Sequence, residues 1–137
     1  MTPNLSGDFP AGEPSFVVPA KWRWHLQTLL RLSERLQRQA RAHLTEAESL
    51  GRTDSDFGSR AAEESEFENL LAEVKSEENL LGEVEAALER MRYGTYGTCV
   101  TTGHPISEER LRALPWTRFS LEAAVQRDAR TPPGSQA

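Results

Sequence analysis

The chain is poor in the residues that build a metal or disulfide scaffold. Only one of its 137 residues is cysteine. A single thiol excludes an internal disulfide framework and any zinc site made wholly of cysteines from one chain. No run of ~18 apolar residues occurs and mean hydropathy is -0.60, so no membrane span is expected. A basic segment leading into an apolar one is also missing, and with it the mark of a secretory signal. From these absences the expected compartment is the cytoplasm. Basic side chains are outnumbered, 16 against 21 acidic, giving a formal net charge of -5 and a pI near 5.3. That balance argues against a protein that coats DNA or RNA electrostatically. Catalytic signatures are missing as well: no glycine-rich phosphate loop, no His-Glu-x-x-His, no Gly-x-Ser-x-Gly. His25, His43 and His104 are scattered, and no base is identifiable beside Cys99 to activate it. An enzyme is not expected.

Prolines gather near the ends. Pro3, Pro10, Pro14 and Pro19, with Gly7 and Gly12, keep residues 1–19 from holding a helix or a sheet ladder, so they read as a flexible arm. From Lys21 the pattern changes. Trp22, Leu26, Leu29, Ser33, Leu36, Ala40, His43, Ala47 and Leu50 step by three and four residues, the spacing of a helix lying along another helix. Gly51 begins a turn rich in Gly, Ser and Asp, and Ser59 or Asp56 is suited to cap the next helix. Between about Arg60 and Arg92 no proline intervenes, and Phe67, Leu70, Val74, Glu77, Leu81, Val84, Leu88 and Met91 repeat the same spacing. A helix of that span is about 50 Å long.

Isolated amphipathic helices are marginal in water, so each stripe needs a partner, and a short connection makes antiparallel neighbours. Charge agrees. Residues 21–50 carry six basic and three acidic side chains, a balance of +3; residues 60–93 carry four basic and ten acidic, a balance of -6. The expected fold is mainly α, a long antiparallel coiled-coil hairpin over residues 20–93 with its tip at about 51–60. Homodimerisation through the same stripe is the competing reading. Arg35, Arg38 and Arg41 form a small basic ridge, best read as a solvated flank and not as a DNA-binding face.

Gly94 and Gly97 break the second helix. Ser107 before Glu108, Glu109, Arg110 and Leu111 reads as a capped helix start, and Pro115 ends that helix. Trp116, Phe119 and Leu121 begin a last segment, read as helical to about Arg127. Residues 94–130 make a small C-terminal domain with a short terminal helix, and 131–137 a frayed tail.

The run Gly94-Thr95-Tyr96-Gly97-Thr98-Cys99-Val100-Thr101-Thr102-Gly103-His104-Pro105-Ile106, continuing through Arg110-Leu111-Arg112-Ala113-Leu114-Pro115, resembles the DksA/TraR family of bacterial transcription regulators. In that family four cysteines hold a structural zinc. The matching positions here are Cys99, Thr102, Ser120 and Ala123, a degenerate set. Hydroxyls that stay protonated near neutral pH are poor zinc ligands and Ala offers no donor, so no bound metal is expected. Tyr96, Ile106, Leu111, Leu114, Trp116 and Phe119 are the residues available to hold the finger-like domain by apolar packing. At the hairpin tip, Asp56-Phe57-Gly58-Ser59-Arg60-Ala61 falls where the family carries Asp-x-x-Asp-x-Ala, at the family's distance from the first cysteine. The resemblance covers about residues 20–127.

The resemblance implies a partner, bacterial RNA polymerase, and a mode of action. Family members insert the hairpin into the polymerase's secondary channel, and the tip approaches the active centre without contacting DNA directly. The residues implied at the tip are Asp56, Ser59, Arg60 and Ala61, with Asp54 beside them. Ser59 replaces the second tip aspartate and loses its charge. Basic family side chains that bind the stringent-response alarmone ppGpp match Glu83, Leu114 and Ala124 here, and none of these pairs with phosphate. Weak or absent ppGpp synergy, no cofactor and a monomer are therefore expected. The alternatives are a helical-hairpin interaction protein that kept the scaffold and lost the tip chemistry, and a zinc or redox protein using Cys99.

Overall fold

A computed structural model describes residues 16–51 and 57–130; the side chains of 57–59 and 130 are outside that description. The elements are a short 3-10 turn at Ala20–Trp22, α1 at Arg23–Gly51, α2 at Phe57–Arg92, α3 at Glu108–Ala113 and α4 at Leu121–Arg130. Among the described residues there is no strand, only an isolated antiparallel bridge between Thr98 and Pro105. The fold is the expected helical hairpin followed by a small C-terminal region. Helix α2 starts at Phe57, so Ser59 stands inside its first turn and not at a cap. The last helix starts at Leu121, later than the aromatic run Trp116–Phe119 suggested.

The chain divides into two compact units. One takes Met1–Leu30 with Glu83–Ala137, and the other takes Arg31–Gly82. In the Arg31–Gly82 unit, Leu32, Leu36 and Ala47 of α1 and Leu70 and Val74 of α2 are buried. Phe67 keeps the period of the stripe but is 36% exposed, a departure from the expected core. Glu77, also on the stripe, is half-buried because His43 of α1 reaches it.

The other unit buries Leu26 and Leu29 of α1 against Val84, Ala87, Leu88 and Met91 of α2, together with Val18, Tyr96, Cys99, Ile106, Leu111 and Ala123. Each large apolar side chain among them contributes ~1.5–3 kcal/mol when fully buried. Leu114, Trp116 and Phe119 are only half-buried, short of the full burial of Tyr96, Ile106 and Leu111. Helix α2 ends as its sequence dictates. Gly94 adopts φ 77, and the Thr95 and Gly94 N–H groups donate back to the Arg90 and Met91 carbonyls at 2.8 and 3.3 Å. This is the paired bonding of a glycine-terminated helix. Ser107 caps α3 through its hydroxyl, which accepts from the Arg110 N–H at 3.2 Å.

Candidate functional site

The C-terminal region is the part whose residues converge. Between Gly97 and Ile106 the chain folds back on itself: the Cys99 N–H donates to the His104 carbonyl at 2.8 Å, the Gly103 N–H to the Cys99 carbonyl at 2.9 Å, and the Ile106 N–H to the Gly97 carbonyl at 2.7 Å. Gly103, at φ 75, permits the reversal. A second stretch of chain closes the loop, where the Val100 N–H donates to the Arg118 carbonyl at 2.9 Å.

This folding brings three of the four degenerate ligand positions together. The Cys99 thiol is 1% exposed and is hydrogen-bonded to the side chains and backbones of both Thr102 and Ser120. Burial alone would raise the thiol, but these bonds outweigh it and draw it down to about 6. Ser120 also serves the last helix, since its hydroxyl accepts from the Ala123 N–H at 3.2 Å and caps α4. Ala123 is buried, with only a methyl group to offer. The Thr102 hydroxyl also accepts from the His104 N–H at 3.1 Å. One thiol, two hydroxyls and a methyl group do not fit a tetrahedral zinc, which takes thiolate, imidazole or carboxylate donors. Among the described residues no group of three or more His, Cys, Asp and Glu side chains could hold a metal ion.

Arginine side chains tie down the loop between α3 and α4. The Arg90 guanidinium of α2 donates to the Trp116 and Thr117 carbonyls at 3.0 and 3.3 Å, and the Arg110 Nε donates to the Phe119 carbonyl at 2.8 Å. The Tyr96 hydroxyl donates to the Pro115 carbonyl at 2.8 Å, and burial raises its pKa. Arg118 pairs with Glu83 at 2.7 Å, so one of the positions matched to the alarmone-binding residues is already occupied by an internal ion pair. Sequence reasoning did not find Arg90 or Arg110 as fasteners, because their partners are main-chain carbonyls 26 and 9 residues away.

Near the start of α1 lies a residue that the strict stripe passed over. His25 is 4% exposed, with the rings of Trp22, Trp24 and Tyr96 at 5.1, 4.9 and 5.9 Å. Neither ring nitrogen makes a well-formed hydrogen bond. Burial, then the Arg112 charge, lower its pKa; Glu108 and the Lys21 backbone oppose them only in part. A signal was available: His25, Leu29, Leu32 and Leu36 also step by four, three and four, and together with the first stripe they define the wider apolar face of a core helix.

Of the tip residues, Asp54 and Asp56 lie outside the described residues. Ser59 is in the first turn of α2, with its side chain outside the description, and Arg60 and Ala61 follow on α2, both exposed. The tip therefore has a place in the chain but no described side-chain geometry.

Comparison with known proteins agrees with this architecture. Residues 94–127 match the family of the prokaryotic dksA/traR C4-type zinc finger. The RNA polymerase-binding transcription factor DksA of Caulobacter vibrioides is 27% identical over 121 residues, spanning 88% of this chain and 85% of that protein. General stress protein 16O of Bacillus subtilis is 51% identical over 37 residues, 27% of this chain and 23% of that one. The structure of transcription factor DksA2 from Pseudomonas aeruginosa superimposes with a TM-score of 0.74 at 30% identity, covering 81% of this chain and 85% of that chain. With that extent of shared fold and sequence, the chain belongs to the DksA/TraR family.

Proposed function

We propose that this protein binds bacterial RNA polymerase through the secondary channel, bringing its hairpin tip toward the active centre and regulating transcription without contacting DNA. The observation that carries the reading is the likeness to DksA2 over 85% of that chain, an extent that the finger-like region alone could not supply. Helix α2 has 36 residues, about 54 Å at ~1.5 Å per residue, long enough to reach down a narrow channel. The proposed tip residues are Asp56, Ser59, Arg60 and Ala61, with Asp54 beside them. The protein is proposed to act as a cytoplasmic monomer and as a regulator, not an enzyme.

In this reading the finger-like domain works without zinc. The packing of Tyr96, Ile106 and Leu111 and the arginine fasteners supply the cross-linking that thiolates and metal supply in a C4 finger. The Arg118–Glu83 pair supports a second element, weak or absent synergy with ppGpp, since Glu83 repels phosphate and its cationic neighbour is engaged. A protein of this kind suits a zinc-poor condition in which a metal-dependent relative fails.

Ser59 in place of a second tip aspartate favours one other reading, a hairpin interaction protein that kept the scaffold alone. Pull-down with purified core polymerase, followed by in vitro transcription, separates the two. The expected result is co-purification, with Asp56→Asn abolishing the transcription effect and leaving binding intact. Absence of binding would support the scaffold-only reading.

A further inference from the structure

His43 of α1 stands between two carboxylates of α2. Its Nδ1 lies 2.9 Å from Glu77 Oε1 and its Nε2 lies 3.3 Å from Glu73 Oε2. Glu73 and Glu77 are one turn apart, so one face of α2 engages both nitrogens of one ring. An ionised carboxylate only accepts hydrogen bonds, and a neutral imidazole carries a single N–H. In the neutral form one ring nitrogen would aim its lone pair at an acceptor oxygen. Only the imidazolium offers a proton to each.

The remaining electrostatics point the same way. The charged groups acting on the ring are Glu77 and Glu73 from α2 and Glu46 from α1 itself, all acidic. The hydrogen bond to Glu77 is the largest of the effects that raise the His43 pKa above its ordinary 6.5, and it outweighs the opposing desolvation. The Glu77 side chain is 14% exposed, so solvent competes weakly for its oxygens. The cluster interrupts an apolar seam, between Ala40 and Ala47 on α1 and beside Val74 on α2. At this level a polar contact between the helices is added to the apolar packing of Ala47 and Val74.

We propose that His43 is a proton-dependent clasp within the Arg31–Gly82 unit: protonated, it pins α1 to α2 through Glu73 and Glu77 together, and deprotonated, it releases one of them and loosens the pairing. A histidine whose folded-state pKa is raised contributes stability that is fully present below the unfolded value and is lost as pH rises through the folded one. The hairpin thus tightens in mild acid and relaxes toward alkaline pH. The clasp does not depend on polymerase binding and is tested without it.

The test follows the His43 ring by NMR in the full chain from about pH 5 to about pH 9, the range in which histidine titrates. It also follows amide-exchange protection factors at residues 40–47 and 70–77. His43 is expected to titrate above 6.5, with protection falling several-fold as pH passes its midpoint. In His43→Gln and in Glu77→Gln that pH step disappears. A His43 midpoint at or below 6.5, or the same step retained in His43→Gln, overturns the proposal. The wild-type ring titration decides the matter alone if a variant does not fold.

Discussion

The indole of Trp22 occupies the space that a side chain on Gly97 would need: a Cβ at Gly97 would come within 2.7 Å of Trp22 Cζ2 and 2.9 Å of Cη2. Gly97 also adopts φ 87, a left-handed conformation. The glycine thus lets a turn of the finger-like region close onto the ring that ends the 3-10 turn before α1. Trp22 makes a second edge contact, with Tyr96 at 4.9 Å between centroids, so one aromatic group organises both residues of the Tyr96-Gly97 turn.

Gly97→Ala is expected to cost about 2–4 kcal/mol, combining the left-handed penalty with overpacking against the ring. Gly94→Ala meets the same kind of φ but no atom within 4 Å, and should cost only about 1–2 kcal/mol. Urea unfolding of the two variants checks the difference. Equal losses would mean that the Trp22 contact carries no weight.

Arg90 holds the Trp116 and Thr117 carbonyls from α2. Arg90→Met keeps the aliphatic stem and removes the donors, leaving partly buried carbonyls unpaired, and is expected to destabilise by about 1–3 kcal/mol. Arg90→Lys should recover little of this, because both bonds leave from Nη2, and a lysine ammonium ends one bond short of that position. Thermal melts of the pair measure it, and full rescue by lysine would show that charge alone sufficed.

His25 gives the acid side of the stability profile. Its folded-state pKa lies below the ordinary 6.5 because burial disfavours the charged form. The unfolded chain therefore binds the proton more readily. Stability is intact above 6.5 and falls as pH drops from there toward the folded value. His25→Phe, which keeps an aromatic ring among Trp22, Trp24 and Tyr96, should flatten that loss in a pH series of denaturation midpoints. An unchanged acid slope would assign it to other groups. The sign is opposite to that of His43, which lies in the other unit.

The finger region should take no stoichiometric zinc as it stands, and should acquire a site when its donors are restored. Thr102→Cys, Ser120→Cys and Ala123→Cys together recreate two Cys-x-x-Cys pairs with Cys99. Metal analysis is expected to find about one zinc per chain in the triple variant, with a melting temperature that rises when zinc is added. Tight zinc binding by the unsubstituted chain would contradict the fit argued from its donor set.

Much of the architecture is written in local patterns. The alternating three- and four-residue steps from Trp22 to Leu50 and from Leu70 to Met91 fix two long helices with one apolar side each, because a helix places those positions on one face whatever surrounds it. Ser107 and Gly94 mark helix ends because capping is a contact between near neighbours. The lone Cys99, with Thr102, Ser120 and Ala123 at the other ligand positions, excluded a C4 metal site by composition alone. What periodicity left open was depth. Phe67 and Leu70 are three residues apart on the same stripe, yet the first is exposed and the second buried, since a period gives a direction and not the extent of the covering surface.

The tertiary structure alone decided which distant groups meet. His43 reads in sequence as one more seam position, and its bond to Glu77 spans 34 residues. The aromatic cage around His25 draws on Trp22, Trp24 and Tyr96, and the fasteners Arg90 and Arg110 act on carbonyls that any residue would carry. Hydrogen bonds to main chain leave no trace in side-chain identity, and contacts across long separations depend on helix packing and loop closure. For that reason the helices are legible one by one, while the way the finger-like region is held together becomes visible only when the chain is folded.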